Sequence, residues 1–158
     1  MANQTFREAY EAAAAELEAL LKDQERIEER ILSLRKTMNA LATLISQHEG
    51  KDKDFMDYAA ARLRELYDTS LTNDIHRIVN ASAHPLTTGE IREELKELGG
   101  SFAEHSNPLA TITAILNRLS ESGRVQETVK NGRRAWVRKQ IPSRPGRLNR
   151  NRFGGRFG

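Results

Sequence analysis

Twelve positions in the first fifty residues follow one another at alternating intervals of four and three, and eleven of them are apolar. Six heptads with apolar a and d positions predict a coiled-coil helix over residues 1–50, because a repeat of 3.5 residues keeps one stripe facing a partner helix. We therefore expect a homo-oligomer. The twelve positions, called the seam below, are Phe6, Tyr10, Ala13, Leu17, Leu20, Gln24, Ile27, Ile31, Leu34, Met38, Leu41 and Ile45.

The charges beside the seam leave the orientation of the helices open. In a parallel dimer Asp23 would approach the partner's Glu28, and Arg30 would approach the partner's Arg35, so both contacts would be repulsive. An antiparallel or higher-order assembly can instead pair Asp23 with Arg30 and Glu28 with Arg35. The amide of Gln24, alone among apolar seam residues, is expected to fix the register at some cost in stability.

The first helix could instead pack within its own chain. Residues 51–68 predict a second helix with apolar residues at helical spacing. If the chain folds back after Gly50, this helix can cover the first one around Ala42 and Leu44. Because it spans less than half of the seam, we still expect self-association.

Residues 69–139 predict three short amphipathic helices. Thr87 and Glu90 have the spacing of a capping box at the start of the second helix. Asn107 suits the N-cap of the third helix, and Pro108 suits its first position. The apolar faces are Ile75, Ile78 and Val79, then Ile91, Leu95 and Leu98, then Leu109, Ile112, Ile115, Leu116 and Leu119.

Two β-prone runs follow and flank Asn131-Gly132, which predicts a β-hairpin with Trp136 packed beneath it. Three helices and a hairpin predict a winged helix, whose third helix enters the major groove of DNA while the hairpin reaches the backbone or minor groove. The expected fold class is therefore mainly α. It comprises the coiled-coil helix (1–50), a connecting helix (51–68), the winged-helix domain (69–139) and a disordered basic tail (140–158).

The order of motifs in this region resembles the HARE-type helix-turn-helix, a winged-helix family found in transcription, restriction and chromatin proteins. The resemblance covers residues 70–138 and implies a winged-helix fold with a DNA-linked role. It is carried by His84-Pro85-Leu86-Thr87-Thr88 before Glu90-Ile91, by Ala110-Thr111-Ile112 through Leu116, and by Gly132 with Trp136.

The net charge of +3 is unevenly distributed along the chain. Residues 130–158 hold ten basic residues and no acid, whereas the remaining 129 residues hold 15 basic and 22 acidic ones. A basic end on an acidic body indicates a polyanionic partner. The tail has too little apolar surface to fold, and its arginines are expected to bind nucleic acid without sequence preference, with RNA as an alternative partner.

The residues expected to contact double-stranded DNA lie on the third helix, the hairpin and the tail. Asn117 and Arg118 can read base edges, and hydroxyls at the start of the third helix can bond phosphates. Lys130, Arg133 and Arg134 are expected to project together from the hairpin. The full set is Ser106, Asn107, Thr111, Thr113, Asn117, Arg118, Lys130, Arg133, Arg134, Arg138, Arg144, Arg147, Arg150, Arg152 and Arg156.

The sequence offers no catalytic or metal-binding pattern. It has no cysteine, its four histidines are scattered, and no nucleophile stands with a base. No apolar run approaches the roughly 20 residues of a membrane span. We therefore expect no enzyme activity, no cofactor, no metal, no membrane partner, and a cytoplasmic, nucleoid-associated location.

The expected function is that of an oligomeric DNA-binding protein, either a transcriptional regulator or a nucleoid-associated protein. The alternative is a coiled-coil scaffold or adaptor whose winged helix binds a protein within a larger complex.

Overall fold

The protein is mainly helical and has a small antiparallel sheet. The computed structural model describes residues 2–48, 53–68, 70–99, 102 and 105–140. The elements are α1 (Ala2–His48), α2 (Lys53–Leu66), α3 (Leu71–Ala81), β1 (Leu86–Thr87), α4 (Thr88–Leu98), α5 (Pro108–Glu121), β2 (Val125–Lys130) and β3 (Arg133–Arg138). Among the described residues, no helix is long and apolar enough to cross a membrane.

Helix α1 is 47 residues long, or about 70 Å at 1.5 Å per residue. From Asn3 to Ile27 its side chains are exposed, whereas its C-terminal half packs against α2, α3 and α4. The buried residues of α1 are Leu32, Arg35 and Ala42, which lie beside the seam and not on it. Packing within the chain and the seam therefore use different stripes of the same helix.

Helix α2 folds back against the C-terminal end of α1. Ala42 is buried there but Leu44 stays 51% exposed, so the alternative in which α2 covers both residues holds for Ala42 alone. No residue of α2 is itself buried. Between the two helices lies an apolar groove of about 450 Å³, called the end groove below, which is lined in part by Leu41, Ile45 and Phe55.

The C-terminal module, from α3 to β3, has an apolar core to which α1 adds Leu32. Trp136 of β3 belongs to this core together with residues of all three helices, and it is 1% exposed, as predicted. The strand order is β1-β3-β2, and both pairings are antiparallel. The short strand β1 was not predicted; its residues Leu86 and Thr87 pair with Trp136 and Ala135.

The predicted caps and turn are confirmed. The Thr87 hydroxyl accepts from the Glu90 backbone N–H, and the Glu90 carboxylate accepts from the Thr87 N–H. Asn107 caps α5, with proline at its start. Asn131 and Gly132 have φ of 51° and 75°, the left-handed pair that a type I′ hairpin turn requires.

A buried ion pair holds α1 on the module. Arg35 Nη1 and Nη2 donate to the two carboxylate oxygens of Asp74 at 2.5 and 3.0 Å, and the side chains are 2% and 5% exposed. Arg77 Nε lies 3.3 Å from Glu28 Oε2, and the Tyr67 hydroxyl donates to the same oxygen. Burial and this bond raise the pKa of Tyr67 to about 12. Glu28 and Arg35 are thus both bonded within the chain, so the pairing of Glu28 with Arg35 across an antiparallel assembly, one of the possibilities that the sequence leaves open, is not supported.

Gly99→Ala is expected to lower the free energy of unfolding by about 1–2 kcal/mol or more, because Gly99 ends α4 with a left-handed φ of 66°. A Cβ at this position would also overlap the Asn39 side chain, whose Nδ2 donates to the Glu97 carbonyl at 3.1 Å. Urea unfolding followed by Trp136 fluorescence measures the loss. Gly132→Ala is the control, since its φ is also positive but an added Cβ meets nothing within 4 Å. An equal loss in both variants would show that the overlap with Asn39 has no effect.

Candidate nucleic-acid interface and exposed seam

Helix α5 and the β2–β3 hairpin lie side by side and are joined by polar side chains. Arg134 Nη2 donates to Asn117 Oδ1 at 3.0 Å. The guanidinium of Arg134 also lies over the Trp136 ring, 5.0 Å from its centroid. These contacts hold Arg134 against the outer face of α5, where the sequence predicts base contacts.

The guanidinium of Arg134 is already paired with the carboxylate of Glu127. Arg134 Nε and Nη2 donate to the two oxygens of Glu127 at 2.7 and 2.9 Å, a bidentate geometry. This bond lowers the pKa of Glu127 and raises the pKa of Arg134. The sequence prediction missed Glu127. The two-residue turn fixes a register in which Glu127 pairs with Trp136, diagonal to Arg134, so the signal was present.

Two other hairpin cations are paired with acids from distant elements. Lys130 Nζ donates to Glu90 Oε1 at 2.8 Å, and this bond lowers the pKa of Glu90. Arg138 Nη1 lies 3.4 Å from Glu25 Oε2 of α1. Arg133 is exposed and forms no ion pair with any of the described residues. The basic hairpin is therefore less free to attract phosphate than its charge count indicates.

The hairpin cations also point in two directions. Successive side chains on a strand lie on opposite faces, so Arg133 and Arg134 diverge. Arg133 pairs with Lys130 across the turn and shares its face, whereas Arg134 is on the face next to α5. The prediction that Lys130, Arg133 and Arg134 project together is therefore wrong.

The predicted residues at the start of α5 have mainly local roles. Asn107 caps the helix, and the hydroxyls of Thr111 and Thr113 donate to backbone carbonyls one turn earlier. In this arrangement neither threonine offers its proton to a phosphate. Ser106 and Arg118 are exposed. The tail residues Arg144, Arg147, Arg150, Arg152 and Arg156 lie outside the described residues.

The seam of α1 holds eight of the fourteen large apolar residues that are exposed among the described residues. The exposed fractions of its eight large apolar residues that stay exposed range from 39% for Met38 to 72% for Phe6 and Tyr10. Ile31 and Ile45 are half-buried, and Gln24 is exposed. The exposed large apolar residues on the seam are Phe6, Tyr10, Leu17, Leu20, Ile27, Leu34, Met38 and Leu41.

A comparison of the chain with known protein families, curated proteins and solved structures finds no match. The HARE-type resemblance therefore stays a prediction.

Proposed function

We propose that the protein binds double-stranded DNA through a winged helix and presents two or more of these modules on a self-associating α1. In this proposal α4 and α5 form the helix-turn-helix and α5 is the recognition helix. The β2–β3 hairpin is the wing. The observation that carries the proposal is the contact of Arg134 with Asn117, which unites hairpin and helix in one polar surface.

The order of elements supports this proposal. A helix, a short strand, two helices and a hairpin follow one another, and β1 joins the hairpin in a three-stranded sheet. Such an arrangement is typical of winged helices, which place one helix in the major groove and a hairpin on the flanking backbone. Of the acids of α4, Glu94 and Glu97 pair with Lys36 of α1, whereas Glu90 lies beside Lys130 of the hairpin.

Self-association is supported by the amount of apolar surface on the seam. Completing the burial of a half-exposed leucine, isoleucine or phenylalanine contributes about 1 kcal/mol. A dimer would complete the burial of the eight exposed seam residues on each chain, which gives about 16 kcal/mol in total. This is comparable to the upper end of the about 4–15 kcal/mol or more that association costs, so the seam can support self-association when its burial is nearly complete.

The ion pairs of the hairpin determine what kind of DNA binding to expect. A phosphate must displace Glu127 from Arg134, so one module binds weakly and mainly through charge. Pairing of modules then supplies the affinity, which fits attachment along DNA by a nucleoid-associated protein or a regulator with two half-sites.

Changes at the Glu127–Arg134 pair are expected to move DNA affinity in opposite directions. Glu127→Gln frees the guanidinium and should tighten binding about fivefold, whereas Arg134→Ala should weaken it by a similar factor. Arg133→Ala/Arg134→Ala should lower the slope of log K against log salt by about 2, because each phosphate contact releases about one counterion. Fluorescence anisotropy with a labelled duplex across a salt series measures all three.

The matched control removes two cations elsewhere. Lys22→Ala/Lys96→Ala deletes exposed charges on α1 and α4 and should leave the salt slope nearly unchanged. If the wild type does not bind duplex DNA at low salt, the proposal fails and the adaptor alternative replaces it. The pairing of the hairpin cations with acids of the same chain favours that alternative.

A further inference from the structure

The module occupies one flank of the seam and leaves the other free. In the heptad frame the e positions Glu28, Arg35 and Ala42 are covered by or bonded to the rest of the chain. The g positions, which include Asp23 and Arg30, are exposed along with most of the seam. A second helix that packs on the seam therefore meets the module on the e side and an open surface on the g side, and its own flanking residues must fit both.

We propose that two copies of α1 pair antiparallel, centred between Gln24 and Ile27, so that the helices overlap along the whole seam. The inference rests on the self-association in the proposed function and names its geometry. Each a position then faces a d position of the partner. From the centre outward, Gln24 faces the partner's Ile27, Leu20 the partner's Ile31, Leu17 the partner's Leu34, Ala13 the partner's Met38, Tyr10 the partner's Leu41 and Phe6 the partner's Ile45.

The open flank carries complementary charge in this arrangement. In an antiparallel pair g positions face g positions, so Asp23 meets the partner's Arg30 and Arg30 meets the partner's Asp23. Both contacts are attractive. A parallel pair would instead place Asp23 beside the partner's Glu28, which already accepts from Tyr67 and pairs with Arg77.

The occupied flank also suits this pairing. Antiparallel e positions face one another, so Arg35 would face the partner's Ala14 and Glu28 would face the partner's Leu21. Ala14 belongs to a run of four alanines at 12–15. The partner's alanine run would lie beside the segment of α1 that is attached to the module. Its small side chains fit there and add no charge next to the buried Arg35.

The end groove supplies an independent observation. It opens between α1 and α2 at Met38, Leu41 and Ile45, and it has about 450 Å³ of largely apolar space. In the proposed register the partner's Phe6 and the partner's Tyr10 reach this position. Both aromatic side chains are 72% exposed in one chain. Each end of the dimer would thus become a three-helix contact between α1, α2 and the start of the partner's α1.

The arrangement has a consequence for DNA binding. Because e faces e in an antiparallel pair, both modules emerge on the same side, related by a two-fold axis. The middle of each attachment lies near Arg35, so the two attachments are about 28 Å apart along the helices. Two modules on one side can engage a single duplex, whereas a parallel pair would hold them on opposite sides.

A distance measurement tests the orientation directly. The chain has no cysteine, so Glu8→Cys gives a single site for a spin label on the side of α1 away from the seam. Pulsed electron resonance on the full chain should give a separation of about 50 Å in the antiparallel pair. A parallel pair would bring the labels within about 25 Å, the width of two helices, and would overturn the proposal.

A charge exchange tests the register. Asp23→Arg and Arg30→Asp should each weaken the dimer, roughly fivefold to tenfold in Kd by sedimentation equilibrium, because each replaces two attractive contacts with two repulsive ones. The combined Asp23→Arg/Arg30→Asp chain should regain most of the wild-type Kd. Tighter association of Asp23→Arg alone would indicate a parallel pair. A wild type that stays monomeric at micromolar concentration would refute both this geometry and self-association. DNA binding by a single module is a separate claim, which the hairpin variants test.

Discussion

Asp74→Asn is expected to lower the free energy of unfolding by about 3–5 kcal/mol, the largest loss from any one substitution considered for this chain. Asp74 accepts two hydrogen bonds from Arg35 inside the contact between α1 and α3. The amide would leave the guanidinium buried with no opposite charge. Against a typical total stability of about 5–15 kcal/mol, this is enough to unfold part of the population.

The reason for so large an effect is the loss of a partner and not the strength of the pair itself. Removing two charges from water costs free energy, which their mutual attraction offsets only when they meet in good geometry. A single buried charge without its partner destabilises the fold. Arg35→Leu/Asp74→Leu removes both charges together. This double variant should therefore be close to the wild type in stability, even though each of its single substitutions is damaging.

Unfolding in urea, followed by fluorescence, measures these differences. Trp136 is the single tryptophan and is buried in the module, so its emission reports on the module. Glu93→Gln is the matched control, because that carboxylate is exposed on α4 and pairs with Lys96 three residues away. A loss for Asp74→Asn as small as that of the control would mean that the buried pair does not hold α1 in place. Protein concentration must be fixed throughout, since association also contributes to stability.

Local signals in the sequence were enough to predict much of the module. The capping box at Thr87, the N-cap at Asn107 and the turn at Asn131 depend on residues within a few positions of one another. Strand β1 could not be predicted in this way. It is two residues long, too short to show alternation, and it exists because Leu86 pairs with Trp136 on a distant strand.

Charged positions were the least predictable, because their roles depend on contacts made far along the chain. Arg35 looks like a solvent-facing flank of the heptad repeat, and its burial follows only from Asp74, 39 residues later. Lys130 likewise looks free until α4 places Glu90 beside it. Counting basic residues therefore overstated the positive charge that the hairpin can offer to DNA.

Leu17→Glu/Leu20→Glu is expected to weaken DNA binding by about 10²-fold or more, although neither residue belongs to the candidate interface. Both leucines are more than half exposed on the seam and distant from the module, so the fold of one chain should not change. Glutamate forms helix well, and α1 should persist. Four acids on the seam, two on each side of the centre of the dimer, would separate the chains, and the modules would then bind one at a time. Fluorescence anisotropy and sedimentation measure DNA affinity and association on the same samples.

The control must add the same charge without touching the seam. Ala19→Glu/Gln47→Glu does so from exposed positions on the side of α1 away from the seam and should remain dimeric. If it binds DNA as weakly as the seam variant, the added charge and not dissociation is responsible. If the seam variant is monomeric yet binds like the wild type, the modules act independently and α1 has another purpose. If only the seam variant loses DNA affinity, the loss must come from the smaller number of modules in one particle, because every residue of the candidate interface is unchanged. Helix α1 would then contribute to DNA binding by joining the modules.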